Sequence, residues 1–448
     1  MTARPDLAAV VMAGGLGTRM HSALPKHLHP LLGRRVVDWV IEATEQAGVE
    51  LIVVVAAPGT HDAYEGVTVA IQEQPLGTGD AVRSARGPLE GFDGRVVVLD
   101  AAAPLLTGDH LAALVAEHER SGAAVTVLTV EPDRPLPYGR VVRDADGWVE
   151  AIVEEKDATD EQRGIRELNS SIYVFEATPL WESLEKLDAQ NAQGELYLTD
   201  TIAHVVAGGG RAAAWACPDP LAGLGINTRA ELAVAGAVLR DRINKTHMLA
   251  GVTIVDPAST WIDAEVGIEA DATIHPFTVL RGATTVAAGA EIGPHVVAVD
   301  SAIGEGALVG PFCYLRPGTV LDPGAKAGTF VEMKNSRIGA RTKVPHLSYI
   351  GDADIGEDTN VGAGNVTANF PHTAGLPKGK TTIGKNVRTG VDNTFVAPVT
   401  VGDEAWIAPG AVITDDVPPG SLAGFAPRQE TKEGWVYERG KRGERGDD

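Results

Sequence analysis

Residues 262–292 read IDAEVGIEADATIHPFTVLRGATTVAAGAEI, and in them Ile262, Ile268, Ile274, Leu280, Val286 and Ile292 fall six residues apart. After a break in register the ladder resumes at Ile303, Val309, Leu315, Leu321, Ala327 and Met333. It continues at Ile338, Val344 and Ile350, then at Ile355 and Val361, and returns at Ile383, Thr389, Phe395, Val401, Ile407 and Ile413. This is the hexapeptide repeat of a parallel β-helix, expected to be left-handed. Each unit supplies a short strand and a tight corner, three make one coil of a triangular prism, and the aliphatic side chain points inward. Glycine follows the aliphatic residue at Ile303-Gly304, Ile338-Gly339, Ile355-Gly356, Ile383-Gly384 and Val401-Gly402. Corners that need positive φ or close backbone approach explain why 52 of 448 residues are glycine, about 12% against a usual ~7%. The stretch ANFPHTAGLPKGKT, between Thr367 and Ile383, is too polar and too rich in Pro and Gly for a coil. It is expected to leave the prism as a loop, and such excursions often carry function.

Outward from the repeat, RAELAVAGAVLRDRINKTH at 229–247 places Leu232, Val234, Val238, Leu239 and Ile243 among charges and predicts a connecting amphipathic helix. Before it, LAAVVM, LIVVVAA, RVVVLD and AAVTVLTV alternate with helix-like stretches such as VVDWVIEATEQAG. Runs of this kind suit strands buried on both faces of a mostly parallel sheet. The N-terminal fold is therefore expected to be an α/β, Rossmann-like nucleotide-binding domain with its ligands beyond the carboxyl ends of the strands. The expected organisation is residues 1–228 for this domain, 229–250 for the linker helix, 251–438 for the β-helix and a charged, disordered tail at 439–448.

Composition narrows the chemistry. The 38 basic and 60 acidic side chains give a net charge of −22, a field that repels nucleic acid and anionic membrane, so an anionic ligand needs a local cationic pocket. Cys217 and Cys313 are too few for a disulfide framework or a four-thiolate zinc site and fit a reducing cytoplasm. No stretch approaches the ~18 apolar residues of a membrane span, so a soluble, cytoplasmic protein is expected.

Gly14-Gly15-Leu16-Gly17-Thr18-Arg19-Met20 follows the first strand directly and leads to Leu24-Pro25-Lys26. Glycines after a strand let backbone N–H groups approach phosphate, and Arg19 and Lys26 supply the local positive charge. A second glycine turn, Gln72-Glu73-Gln74-Pro75-Leu76-Gly77-Thr78-Gly79-Asp80, also follows a strand-like run and suits a base and ribose. Together these resemble the sugar-nucleotide pyrophosphorylases. Further matches at Tyr138-Gly139-Arg140, Glu154-Glu155-Lys156-Asp157, Asn169, Gln193-Gly194-Glu195 and Gly225-Ile226-Asn227 narrow the resemblance. With the hexapeptide domain, nearly the whole chain resembles the bacterial bifunctional N-acetylglucosamine-1-phosphate uridylyltransferase/glucosamine-1-phosphate N-acetyltransferase family. The resemblance implies that Met12, Ala13, Gly14, Gly15, Gln72, Gly77 and Thr78 hold UTP. It gives the reacting phosphates to Arg19 and Lys26, the sugar to Gly139, Glu154, Asn169 and Asn227, and Mg²⁺ to an Asp together with Asn227. Where that family has Gly-Asp-Val-Pro-Leu, this chain reads Asp100-Ala101-Ala102-Ala103-Pro104-Leu105, which puts Ala102 at the ligand position. Magnesium wants carboxylate, phosphate and water oxygens, so a weakly held metal and impaired uridylyl transfer are expected, with Ala102→Asp restoring at least tenfold in rate. Asp100 is the substitute ligand, but a Cα ~6.6 Å back along a strand puts it out of reach unless the strand shifts.

In the C-terminal half, Arg316-Pro317-Gly318, Lys334-Asn335-Ser336, His346-Leu347-Ser348-Tyr349 and Asn360-Val361-Gly362-Ala363-Gly364 stack through the ~18-residue coil onto one side of the prism. Acetyl transfer to an amine needs a base, cations for the sugar phosphate and a groove for the donor, and histidine suits the first. The resemblance implies His346 as general base. It gives the amino-sugar phosphate to Arg316, Lys334, Tyr349 and Asn360, and acetyl-CoA to Ala363, Asn369, Phe370, Val391, Pro409 and Arg428, in a groove between subunits of a homotrimer. Departures fall at Phe370 for a usual Tyr, Val391 for a Ser, Ala426 for a tail Arg that Arg428 would replace, and a longer loop at 371–380. The alternative is a diverged relative that keeps only acetyl transfer, or takes another sugar phosphate, with the N-terminal domain a binding or structural module.

Overall fold

The computed structural model describes residues 4–15, 17–133, 136–371, 375–424 and 429–437. Ala426, Arg428 and the expected tail lie outside them. The chain divides into two compact units, Met1–Arg242 and Ile243–Asp448, and the division falls inside the expected connecting helix, Arg229–Leu249. Among the described residues no helix is long and apolar enough to cross a membrane.

The first unit is built on nine strands: β1 (Leu7–Ala13), β2 (Leu51–Ala56), β3 (Thr68–Ile71), β4 (Arg95–Asp100), β5 (Val125–Val130), β6 (Arg140–Arg143), β7 (Val149–Val153), β8 (Leu168–Glu176) and β9 (Ala212–Ala216). The main path runs β9-β5-β8-β4-β1-β2-β3, with the β6–β7 hairpin attached at β8. Strands β1 to β4 are mutually parallel, as the apolar runs of β1, β2 and β4 predict. Val11, Val54 and Val97 enter one core cluster and Val10, Val53 and Val98 the other. The sheet is nevertheless mixed, because β8 runs antiparallel to both β4 and β5. Between β5 and β8 the chain forms a hairpin and a four-residue helix, Asp160–Arg163, instead of a long crossover helix, so β8 enters reversed.

The second unit is a left-handed parallel β-helix whose two-to-four-residue strands stack into three faces. On the second face, Ile262, Leu280, Ala298, Leu315, Met333 and Ile350 sit directly above one another, and all are buried. This explains the breaks in the ladder. The steps Ala298 to Ile303, Met333 to Ile338 and Ile350 to Ile355 are each five residues long, and each turns the same corner between the second and third faces. The Ile-Gly pairs reflect close approach between coils: a Cβ on Gly356 would lie 2.7 Å from the carbonyl carbon of Gly384. Many corner positions with positive φ are instead Asp, Asn, His or Phe.

Candidate active sites

In the first unit the carboxyl ends of β1 and β4 open onto a cleft of about 440 Å³. Its walls include Met12, Gly14, Gly15, Lys26, Gln72, Gly77, Thr78 and Asp100, so two glycine turns distant in sequence face one space. Gln72 joins them. Its Nε2 donates to the Gly77 carbonyl and to Asp80 Oδ2, both at 3.0 Å, and its Oε1 would lie 2.3 Å from a Cβ on Gly14. Gly77 has φ +125, and a Cβ there would meet the Leu196 carbonyl at 2.5 Å, so only glycine fits. Ala13 is buried behind the wall, and Arg19 stands exposed on the short helix Thr18–Met20 beside it.

Of the four sugar residues of the expectation, Gly139, Glu154 and Asn169 lie at β6 to β8, whereas Asn227 stands against Lys26. Asn169 N–H donates to the Gly139 carbonyl, and a Cβ on Gly139 would lie 3.0 Å from Ile152 Cγ2 and 3.5 Å from Asn169 Cβ. Glu154, at the end of β7, accepts from Thr199 Oγ1 at 3.1 Å, and burial raises its carboxyl above the usual range. Ser171 and Glu195 complete the wall on this side.

Lys26 decides the electrostatics. Its Nζ lies 3.5 Å from Asp100 Oδ2 and donates to Asn227 Oδ1 at 3.3 Å. Asp100, the last residue of β4, bonds nearby backbone through Oδ1, which accepts from Ala102 N at 3.0 Å, while its Oδ2 faces the ammonium that Asn227 also reaches. Ala102 points elsewhere. It is fully buried in an apolar cluster with Met20, Leu31, Val36, Leu105, Ile226, Ala235 and Leu239, and its carbonyl accepts from Ile226 N at 2.7 Å. Among the described residues there is no group of three or more His, Cys, Asp or Glu side chains that could hold a metal. One carboxylate with an amide oxygen is nonetheless the kind of donor set magnesium takes when substrate phosphates and water supply the rest. Sequence reasoning missed His27. It lines the cleft beside Lys26 with its Nε2 buried and unpartnered among the described residues, and burial, reinforced by Lys26, pushes it down to about 4.

In the β-helix, Tyr314, Glu332 and Tyr349 are in register on the outside of the second face. Arg316 Nη1 donates to Glu332 Oε1 at 2.8 Å. Lys334 follows on the same strand, and the excursion loop brings Lys378 against it. The neighbouring Lys378 ammonium, with Arg316 beyond, holds Lys334 below the usual lysine range. Three cations gathered on an exposed surface form a site for a multivalent anion. Tyr349 and Asn369 meet over Gly351, where a Cβ would lie 2.5 Å from the Tyr349 hydroxyl and 2.8 Å from Asn369 Nδ2. Asp352 fixes Asn369 by accepting from its amide, and takes a second bond from Asn335 Nδ2 at 2.6 Å. His346 ends the strand Lys343–His346 at the corner before this face; it is exposed, and among the described residues no hydrogen bond or ion pair holds its ring.

The donor residues are more dispersed. Asn360, which the resemblance gives to the amino-sugar phosphate and not to the donor, bridges Lys343 and Arg388 on the first face. Ala363 and Val391 stack through successive coils, their carbonyls accepting from Asp392 N and Gly410 N at 2.8 Å, with Pro409 beside Gly410. Phe370 stands 75% exposed at the start of the loop. Lys378, Gly351 and Asp352 were not anticipated. Lys378 carried a signal, a Lys-Gly-Lys in the excursion loop, but nothing in the sequence said which cation it would meet.

A glycine-lined cleft on an α/β sheet, joined in one chain to a hexapeptide prism bearing a cationic pocket and a histidine with no ring partner among the described residues, defines a nucleotidyltransferase fused to an acyltransferase. Residues 9–195 match the family of MobA-like NTP transferase domains. The chain is 47% identical to the bifunctional protein GlmU of Corynebacterium efficiens over 460 residues, covering 96% of this chain and 94% of that one. It is 48% identical over 461 residues to that of Streptomyces coelicolor (97% and 95%) and 45% identical over 467 residues to that of Mycobacterium marinum (98% and 94%). The chain belongs to the GlmU family of bifunctional acetyltransferases and uridylyltransferases.

Proposed function

We propose that the chain carries out both transfers of its family in sequence: N-acetylation of glucosamine-1-phosphate in the β-helix, then uridylyl transfer from UTP to N-acetylglucosamine-1-phosphate in the N-terminal cleft. The observation that carries the reading is the set of Arg316, Lys334 and Tyr349 on one face of the prism with Lys378 from the excursion loop, together with a histidine whose ring has no partner among the described residues. In the first reaction the cations hold the sugar phosphate, and Tyr349, Asn360 and Asn369 position the amino sugar. His346 takes the ammonium proton, the amine nitrogen bonds to the acetyl carbon, the carbon–sulfur bond breaks, and the second proton lost by the nitrogen goes to the departing sulfur, so that coenzyme A leaves as its thiol. In the second, a phosphate oxygen of the sugar attacks the α-phosphorus of UTP and the bond to pyrophosphate breaks. Gly14 and Gly15 receive the nucleotide phosphates, Gln72, Gly77 and Thr78 the uridine, and Gly139, Glu154 and Asn169 the sugar. Arg19 and Lys26 neutralise charge on the leaving pyrophosphate. A bound Mg²⁺, held by Asn227 and a carboxylate, would add Lewis-acid neutralisation of the same phosphates. Ala363, Val391 and Pro409 would line the acetyl-CoA groove.

The assembly we infer is a homotrimer. Phe277, His295, Phe312 and Phe330 stack along one prism edge with ring centres 4.7–5.2 Å apart, and the edge ends at Leu347, next to His346. Phe277, Phe312, Phe330 and Leu347 are each about half exposed, an apolar stripe that a second copy would cover while walling in the base. Supplied with acetyl-CoA and glucosamine-1-phosphate, His346→Ala should lose acetylation by ~10²–10⁴ while uridylyl transfer stays intact. Acetylation near the wild-type rate in that variant removes His346 from the chemistry.

A further inference from the structure

Asp100 and Asn227 converge on one cation although 127 residues separate them (227 − 100). Both contact Lys26 Nζ, so their oxygens are at most 3.5 + 3.3 = 6.8 Å apart. Each oxygen is oriented by its surroundings. Asp100 Oδ1 accepts from Ala102 N at 3.0 Å, which leaves Oδ2 to face the cleft. Asn227 Nδ2 donates to the Gly225 carbonyl at 3.3 Å, so its Oδ1 is the atom turned toward Lys26. The loop carrying Asn227 is anchored in turn. Ile226 N donates to the Ala102 carbonyl, and Gly225 lies so close that a Cβ there would come 3.0 Å from Asp100 Oδ2. Ala102 thus pins the Asn227 loop through its backbone while its side chain stays in the core. The carboxylate expected at that position has a counterpart at the strand end.

We propose that Asp100 has taken over the carboxylate ligand role lost at Ala102, pairing with Asn227, and that the Lys26 ammonium occupies their shared position until a divalent cation displaces it toward the phosphates. The inference rests on the uridylyltransferase reading of the cleft. A dipositive ion replaces the ammonium because it neutralises the carboxylate more fully and takes the neutral amide oxygen as a second ligand at ~2.1 Å. Released, Lys26 is free to meet nucleotide phosphate. Lys26 therefore competes with metal in the free protein and cooperates with it once nucleotide is bound.

The test is Mn²⁺ binding to the full chain, followed by the electron paramagnetic resonance of free Mn²⁺, with and without UTP. Asp100→Asn should weaken Mn²⁺ binding at least tenfold, and Asp100→Glu, which keeps the charge, should recover part of it. Without UTP, Lys26→Met should strengthen binding about fivefold or more, a gain that a purely structural lysine would not give. The N-terminal melting transition of the same samples reports intact folding of the cleft. Binding within twofold of wild type in Asp100→Asn, or no Asp100-dependent binding with or without UTP, overturns the ligand assignment. Unchanged or weaker binding in Lys26→Met overturns the displacement. A chain that binds Mn²⁺ through Asp100 but transfers no uridylyl group instead refutes the functional reading and leaves the site standing.

Discussion

Replacing Ala102 by Asp separates the two ways of reading this cleft. Motif alignment alone expects the change to restore a metal ligand and raise uridylyl transfer at least tenfold. The burial of the Ala102 side chain among Met20, Leu31, Val36, Leu105, Ile226, Ala235 and Leu239 argues for the opposite outcome. A carboxyl placed there must be protonated at pH 7 or stay charged in an apolar cluster. Protonation alone costs about 1.36 × (7 − 3.9), or ~4.2 kcal/mol, and staying charged costs no less. For a unit of this size each kcal/mol lowers the melting temperature by roughly 2–4 °C, so the N-terminal transition should fall by about 8–16 °C. Scanning calorimetry of the full chain reads this directly, with the β-helix transition as an internal reference. Uridylyl transfer should fall too, because the Ala102 carbonyl holds the Asn227 loop through Ile226. An Ala102→Asp protein that melts with wild type and gains tenfold in rate would show that the side chain faces the cleft, and would refute this account.

Lys378→Ala should raise the KM for glucosamine-1-phosphate about tenfold through loss of a charge-assisted contact, leaving the KM for acetyl-CoA unchanged; equal effects on both would place Lys378 outside the phosphate pocket. Acid should destabilise the N-terminal unit through His27. Its folded-state pKa is depressed to about 4, so the unfolded chain binds its proton first, and stability is lost as pH falls from about 6.5 toward 4, by up to ~3 kcal/mol. Buried His118, held between Thr126 and Glu176 and also depressed by burial, adds a slope of the same sign. A melting temperature that stays flat over that window, or an unchanged slope in His27→Asn, would clear His27. Light scattering at micromolar concentration should report three copies per particle, and a clean monomer would contradict the proposed covering of the aromatic edge.

The sequence by itself determined the β-helix, because a period of six written in aliphatic side chains admits few solutions in which every one is buried. It also determined the parallel strands β1, β2 and β4, whose continuous apolar runs require cover on both faces. The glycine turns at Gly14 and Gly77 were legible for a related reason: a backbone that approaches Gln72 or Leu196 so closely leaves its mark on residue type. Tertiary structure alone decided the rest. The reversal of β8 and the five-residue corners depend on how neighbouring segments close, which no local pattern encodes. The same holds for Lys378, whose meaning comes from Lys334, 44 positions away (378 − 334). Asp100 shows the limit most clearly. Counting along the strand measures the distance between Cα atoms, but ligation depends on where a side-chain oxygen points, and the Ala102 N–H, Gly225 and Lys26 fix that only once the chain has folded.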